Sequence, residues 1–372
     1  MYINFWYPIA PSADVTNEAP HRTHLLGHTF VAFRDTEGKP HVLADTCIHR
    51  GGALGAGKVV GDRIQCPYHG WQYDGAGQCK LIPALEQTDP GGRAKVDSYP
   101  TKELHGMLFA FLGDLAEDER PPLYEIEEYE DENWRAAPLV VFETNSYYER
   151  NVENGLDPAH NEFVHPKQGA PGMKLDFNKE PINIDLLGDY GSGFMMPFSL
   201  EEPENAIMNT EKIDRQDVVR AGSGHIGPHV LITWLHFDTD KKFHQYAWEV
   251  PIDENRTRIF FINMRRFMRD PEMDQKITDV NMEVADEDIE VLEKLYPVRT
   301  PETLNNELLI ATDAPVVKYR EFLKDWQSRG WRIDQQALQA NRGNVATAIP
   351  SPARRNEKNW VHDSVPLLSA KT

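Results

Sequence analysis

Over residues 1–115 the apolar and polar positions alternate in short runs punctuated by turn residues, and no 3.6-residue period is sustained. Residues 28–34 are strand-like. Asp35-Thr36-Glu37-Gly38 marks a turn, and residues 41–44 form the return strand. A further turn stands at Asp74-Gly75-Ala76-Gly77, and residues 104–112 are apolar and strand-like. The pattern predicts a small all-β module.

Residues 115–132 are acidic and contain Pro121-Pro122, the composition of a solvated connector. A second region starts near Trp134. Residues 140–144 are strand-like, 147–165 are partly helical, and 182–267 are mostly strands. The clearest strands are 230–237, 243–250 and 257–264, with a turn at Asp253-Glu254-Asn255. Asp270-Pro271 reads as a helix start, an N-cap acid followed by proline, for a helix running to Tyr296 and stopping before Pro297. Asp313-Ala314-Pro315 opens another helix, to about Arg329. Residues 346–372 are polar and proline-containing and read as an extended tail, packed on the body or on a neighbouring subunit. The predicted limits are therefore 1–115, a connector at 116–133, a second domain at 134–345 and the tail at 346–372. The fold class is α+β.

Composition narrows the function. The chain has 372 residues and a net charge of −20, from 39 basic and 59 acidic residues. That balance argues against nucleic acid or an anionic membrane surface as a general partner. No apolar run approaches the roughly 20 residues needed to cross a bilayer. Met1-Tyr2-Ile3-Asn4-Phe5-Trp6-Tyr7-Pro8 lacks a basic n-region and reads as folded protein rather than a signal peptide. Of three cysteines, Cys79 is left over once Cys47 and Cys66 are placed in the motif below. No disulfide framework is implied, and a reducing, cytoplasmic setting fits.

The chemistry begins with Cys47-Ile48-His49 and, after sixteen intervening residues, Cys66-Pro67-Tyr68-His69. Two thiolates for one iron and two imidazoles for the other are the ligand set of a Rieske [2Fe–2S] centre. Gly51 and Gly52 after the first pair, and Pro67 and Gly70-Trp71 around the second, suit a close loop cage. Two cysteines and two histidines also make a zinc set. Zinc fingers usually group like ligands in one arm, whereas here each arm is mixed.

A second site is suggested by Glu153-Asn154-Gly155-Leu156-Asp157-Pro158-Ala159-His160-Asn161-Glu162-Phe163-Val164-His165. His160 and His165 are five apart, a poor facing pair on a regular helix, but a break or wide turn after His160 would bring them together. With one carboxylate they would form the two-His-one-carboxylate triad of non-haem iron oxygenases. Taken alone, two nearby histidines are more often ordinary surface or core residues; the Cys-His arms in the same chain favour the metal.

With both motifs in view, the chain resembles the catalytic α subunits of Rieske non-haem iron oxygenases. Among them it is most similar to the shorter members of the dicamba monooxygenase, vanillate O-demethylase and carbazole dioxygenase type. The resemblance implies a Rieske domain followed by a catalytic domain in which helices cover an antiparallel sheet, a helix-grip or START-like arrangement. It implies Cys47, His49, Cys66 and His69 as cluster ligands and His160 and His165 as ligands of a mononuclear Fe(II). The family's pattern in Glu287-Asp288-Ile289-Glu290-Val291-Leu292-Glu293 points to Asp288 as the third ligand, with Asp286 as the alternative. It implies that the Asp157 carboxylate bonds the imidazole of His160 and, in the neighbouring subunit, that of His69, with helix capping beside Pro158 as the plainer reading. Asn154 would lie near the iron.

The implied activity is that of a terminal oxygenase, with O2 as co-substrate and electrons originating from NAD(P)H. No Gly-x-Gly-x-x-Gly follows a strand and no four-cysteine ferredoxin set occurs, so a separate flavin reductase, a ferredoxin, or both would supply the electrons. Arg50, Lys58, Arg63, Lys80, Arg93, Lys95 and Lys102 make the first domain locally basic, which would suit an acidic donor. By resemblance the chain closes a head-to-tail homotrimer, the Rieske domain of one subunit facing the iron site of the next. Few basic residues offer a clamp for a carboxylate, which favours a neutral aromatic or xenobiotic substrate. Monooxygenation with O- or N-dealkylation is preferred over ring cis-dihydroxylation. Outside oxygenases, a non-catalytic Rieske electron carrier would need only the first 115 residues, and a zinc-stabilised binding protein would be colourless.

Overall fold

The short alternating runs of the amino-terminal region form antiparallel strands, and the later apolar runs form one large sheet with helices. The computed structural model describes residues 1–85, 89–165, 182–197 and 220–370. The chain divides into two compact units, residues 1–125 with 326–372, and residues 126–325.

The first unit contains β1 (Phe5–Pro11), β2 (His21–Leu25), β3 (His28–Arg34), β4 (Pro40–Ala44), β5 (Lys58–Val60), β6 (Arg63–Gln65), β7 (Gln72–Asp74), β8 (Cys79–Leu81), β9 (Ser98–Tyr99), β10 (Thr101–Leu104) and β11 (Met107–Leu112). They pair as β1-β11-β10, β2-β3-β4-β9 and β5-β6-β7-β8. The continuous strand expected over 104–112 is broken at His105 (φ 52°) and Gly106 (φ 74°), which turn β10 back on β11. Positive φ at both central residues matches the twist of a two-residue hairpin. Beyond that turn β11 is buried along its whole length between β1 and β10. This burial explains an apolar run without alternation.

Residues beyond 325 return to this unit. Phe5 meets Trp326 and Trp331 edge-on, with ring centroids 5.0 and 5.7 Å away. Arg354 forms a two-armed bond with Asp97, 2.7 Å on each side, and Ser351 Oγ donates to the same carboxylate at 2.8 Å. The tail expected at 346–372 is thus tied to the Rieske-like module, through residue 370 as far as it is described. Limits drawn along the sequence are linear and cannot express such a return.

The second unit contains β12 (Arg135–Ala136), β13 (Val140–Thr144), α1 (Tyr148–Leu156), α2 (Asn161–Val164), β14 (Asp185–Leu186), β15 (Gly191–Pro197), β16 (Arg220–Ile226), β17 (Val230–His236), β18 (Lys242–Pro251), β19 (Thr257–Arg265) and α3 (Met273–Leu292), and most of α4 (Ala314–Ser328). Its antiparallel sheet runs β12-β19-β18-β17-β16-β15-β14, with β13 also on β19. The strands expected at 230–237, 243–250 and 257–264 are β17, β18 and β19. Residues 198–219 of the predicted strand region lie outside the described residues. Helix α1 lies so close to the sheet that a Cβ on Gly155 would stand 2.3 Å from Leu231 Cδ2. Only glycine fits there without a shift.

Helix α3 begins two residues later than predicted. Asp270 does not cap it; its carbonyl accepts from Met273 N at 3.0 Å in a preceding turn, and Glu272 holds the cap position. The helix ends at Leu292, short of Tyr296. Both ends are pinned. Asp274 accepts from Arg135 (2.9 and 2.6 Å) and from the fully buried Arg265 (2.5 Å). Glu293 accepts from Asn145 N and Nδ2 at 2.9 and 3.0 Å. Between the pins, Ile277, Asn281, Asp288 and Leu292 recur at helical spacing, and Asn281 accepts from Gln245 of β18 at 3.0 Å. Among the described residues no helix is long and apolar enough to cross a membrane.

The bond from Arg135, against the opposing effect of burial and with help from Arg265, holds the Asp274 carboxyl down to about 2. A lowered carboxylate pKa stabilises the fold above the unfolded value near 3.8, and the contribution is lost as pH falls through 2. Asp274→Asn is expected to destabilise the protein by about 2 kcal/mol at pH 7, with the gap to the native chain narrowing below pH ~4. Thermal melts of both proteins at pH 7 and pH 3 check this; a gap independent of pH would refute the ion-pair account.

Candidate metal centres

The two Cys-His arms adopt the same backbone turn. Gly51 N donates to Cys47 O at 3.0 Å and Gly70 N to Cys66 O at 3.1 Å, and both glycines have φ 73°. Cys47 N donates to Gly52 O and Cys66 N to Trp71 O, each at 2.8 Å. Each turn therefore needs glycine four residues after its cysteine, because an L side chain is strained at that φ. The first arm follows β4 and the second joins β6 to β7.

These turns sort the donors by depth. Cys47 and Cys66 are buried in an apolar cluster with Leu54, Ile64 and Tyr73. His49 and His69 are exposed, with ring centroids 4.4 Å apart. His49 stacks on Trp71 at 4.6 Å, and Tyr68 lies against His69 at 3.9 Å. A Cβ on Gly52 would stand 2.8 Å from Cys66 Sγ, so the backbone there passes the sulfur more closely than a side chain would allow. Two inner sulfurs and two outer imidazoles are the donor set a Rieske cluster takes, and the residues fit that group.

Two neighbours add to this arrangement. The Tyr73 hydroxyl lies 3.1 Å from Cys47 Sγ, and with that sulfur as a ligating thiolate the hydroxyl donates. The sequence gives no local sign of that contact. Burial pushes the Cys79 thiol up to about 11, so Cys79 stays protonated and inert. The basic stretch is less available than its composition suggests. Lys95 is buried and paired with Glu357, Lys80 pairs with Asp74 at 3.3 Å, and Arg50 lies over the Tyr68 ring at 5.7 Å.

In the second unit, α1 stops at Leu156 because Asp157 precedes proline and takes an extended conformation (φ −94°, ψ 107°). The chain then re-enters a single helical turn. His160 stands at its amino end and His165 at its carboxyl end, where the backbone leaves the helix (φ −113°, ψ 63°). The break falls before His160 rather than after it, and His165 turns back by its own backbone. Donor atoms of His160, His165 and Asp288 lie within 4.8 Å of one another. Asp288 Oδ1 is 3.1 Å from His165 Nε2 and 3.6 Å from His160 Nε2, and it accepts from Asn154 Nδ2 at 2.9 Å. Two imidazole nitrogens and a carboxylate on one side of a site fit a facial-triad iron. Asp286 is exposed and belongs to no such group among the described residues.

The outer contacts differ from those implied by the resemblance. His160 Nδ1 donates to the main-chain oxygen of Asp157 at 2.5 Å, while the Asp157 carboxylate accepts from Ala159 N at 2.8 Å. Within one chain Asp157 therefore orients His160 through its carbonyl. His165 Nδ1 donates to Glu287 Oε2 at 3.0 Å, a role not assigned from the sequence. Burial opposes charge on His165, but bonds to Asp288 and Glu287 raise its pKa overall. Burial also raises Asp157, and pushes Glu249, which accepts from Asn151 at 2.9 Å, up to about 8 with Asp288 adding to the effect.

Comparison with known proteins agrees with this geometry. A family described as the Rieske [2Fe-2S] domain matches residues 5–100, and one described as the vanillate O-demethylase oxygenase C-terminal domain matches residues 144–329. The oxygenase component of 3-ketosteroid-9-alpha-monooxygenase from Rhodococcus rhodochrous is 36% identical over 163 residues, covering 43% of each chain. This chain thus spans less than half the length of that relative. Methylxanthine N1-demethylase NdmA of Pseudomonas putida is 25% identical over 339 residues, 87% of this chain and 88% of NdmA. The crystal structure of dicamba monooxygenase bound to dicamba shares the fold, with TM-score 0.72 at 21% identity, covering 91% of this chain and 98% of that one.

Hydrogen bonds to cluster sulfurs raise a reduction potential by stabilising the reduced, more negative state. Loss of one bond worth about 1 kcal/mol corresponds to roughly 40 mV for a one-electron couple. Tyr73→Phe is expected to lower the cluster potential by that order, measured by an EPR-monitored redox titration; an unchanged potential would show that the hydroxyl does not reach the ligating sulfur.

Proposed function

We propose, because this chain belongs to the Rieske oxygenases with a vanillate O-demethylase type of C-terminal domain, that it is the terminal oxygenase component of a multicomponent monooxygenase. The carrying observation is the convergence of His160, His165 and Asp288 in a chain that also holds the two Cys-His arms. An electron carrier has no use for the second site. Cys47, Cys66, His49 and His69 would hold the cluster, and His160, His165 and Asp288 the mononuclear iron. When bound, these groups supply single-electron transfer and the activation of O2.

The chain's residues supply position and charge. The Asp157 carbonyl and the Glu287 carboxylate hold the protons on the two Nδ1 atoms, leaving both Nε2 atoms free to face Asp288. Asn154 holds the Asp288 oxygen between them. The overall reaction is dealkylation of a methoxy or N-methyl group. Substrate, O2, NAD(P)H and a proton give the dealkylated product, formaldehyde, water and NAD(P)+. Oxygen enters the C–H bond beside the heteroatom, and the resulting hemiacetal or hemiaminal loses the aldehyde. The C-terminal family and the demethylase NdmA support dealkylation over ring cis-dihydroxylation. The substrate class is a neutral aromatic or xenobiotic.

Electrons would arrive from a separate reductase, ferredoxin or both, at the exposed His49 and His69. Assembly as a head-to-tail homotrimer is supported by large apolar side chains left in solvent at each centre. Tyr68 beside His69 is 57% exposed and Phe163 between His160 and His165 is 81% exposed. Tyr296 and Leu308 are both 94% exposed. Covering such groups is a common reason for association. The three free, buried cysteines suit a reducing, cytoplasmic setting.

Four measurements test this reading. Purified protein is expected to carry the Rieske EPR signal and one further iron per chain; cluster iron alone would mean a carrier, and zinc alone neither. Asp288→Ala is expected to lose the further iron and turnover while keeping the Rieske signal. With a reductase and a panel of methoxy and N-methyl aromatics, aldehyde release supports dealkylation, whereas a cis-diol from an unsubstituted ring would replace it with dihydroxylation. Sedimentation of the active protein should give a trimer, and a fully active monomer would remove the composite-site proposal.

A further inference from the structure

The two imidazoles of the candidate iron site are held from behind by unlike acceptors. His160 Nδ1 faces a neutral main-chain oxygen, that of Asp157, at 2.5 Å. His165 Nδ1 faces a carboxylate, Glu287 Oε2, at 3.0 Å. Glu287 is the residue immediately before Asp288, and the two reach opposite edges of one ring, since Asp288 Oδ1 is 3.1 Å from His165 Nε2. His165 is buried and Glu287 mostly so, and among the described residues His165 is the one ion-pair partner of Glu287. The neighbouring acids do not share this placement. Asp286 is exposed, and Glu290 is 76% exposed and pairs with Lys294 at 3.0 Å.

We propose that Glu287 is a positioning residue that fixes His165 with its proton on Nδ1 and its Nε2 turned to the metal, and so sets the affinity of the site for ferrous ion. This rests on the assignment of His160, His165 and Asp288 as the ligands. An imidazole binds a metal through a bare nitrogen, so its remaining proton must sit on the other one. A carboxylate behind that proton holds the ring orientation and increases the basicity of the ligating nitrogen. A backbone carbonyl orients the ring but brings no full charge. His165 is therefore the stronger imidazole donor of the pair, and consecutive residues of α3 supply both the carboxylate ligand and the brace of the ligand beside it.

The test compares Glu287→Gln, Glu287→Ala and Glu290→Gln with the native protein, each carrying its Rieske cluster as verified by EPR. Ferrous affinity is measured by equilibrium competition with a coloured ferrous chelator. Glu287→Ala is expected to weaken ferrous binding about 10- to 100-fold, Glu287→Gln by a smaller factor because it keeps an acceptor oxygen, and Glu290→Gln by less than about twofold. The melting temperature and the cluster signal should stay unchanged, which separates positioning from a general structural role. If Glu287→Ala does not fold, the isosteric Glu287→Gln decides. Native-like ferrous affinity in the Glu287 variants, while Asp288→Ala loses the metal, would overturn the proposal alone. Retention of the metal by Asp288→Ala would instead overturn the ligand assignment on which it rests.

Discussion

The Asp288 carboxylate must arrive, from a helix more than a hundred residues further along the chain, at the point where two imidazole nitrogens of one helical turn converge. Much of the second unit serves that meeting. Pro158 ends α1 and frees the chain to restart with His160 at the head of a new turn. Gly155 lets α1 lie close on β17. The ion pairs at Asp274 and the bonds to Glu293 fasten the two ends of α3, so Asp288 is presented from a braced rod. The contacts that matter to the site are thus partly remote from it.

Charge completes the picture. Asp288 and Glu287 bring two carboxylates to His165, and both bonds raise the affinity of that ring for a proton. The carboxyls around them also shift toward the protonated form. Burial pushes up Asp157 and Glu249, and the charge on Asp288 contributes at Glu249. Two carboxylates facing one buried imidazole leave the site short of positive charge. A divalent metal is the natural way to relieve it.

The first unit solves a different problem, that of setting two sulfurs deep and two imidazoles shallow beside them. It does so by using one turn twice. The cysteine carbonyl accepts from a left-handed glycine four residues on, and the cysteine N–H closes on the fifth. The histidine falls two residues after the cysteine in one arm and three in the other, yet both rings reach the surface together. The return of the chain beyond residue 325 seals this unit from another side through Asp97 and Arg354.

The amino-acid sequence by itself determined the local features. Strand periodicity located β3, β4 and β17 to β19, the Cys-His spacing identified the two arms, and the Asp-x-x-His-x4-His segment and acidic run marked the second site. Such signals are carried by neighbours in the chain, so residue type and spacing suffice. Tertiary structure alone decided which atoms meet across long separations. It brought the Tyr73 hydroxyl to Cys47, set Glu287 behind His165, and returned the tail to the first unit. None of these could be read locally, because a side chain's partner across the fold is set by the packing of whole elements, and an acid on a helix looks alike in sequence whether it faces water or an imidazole.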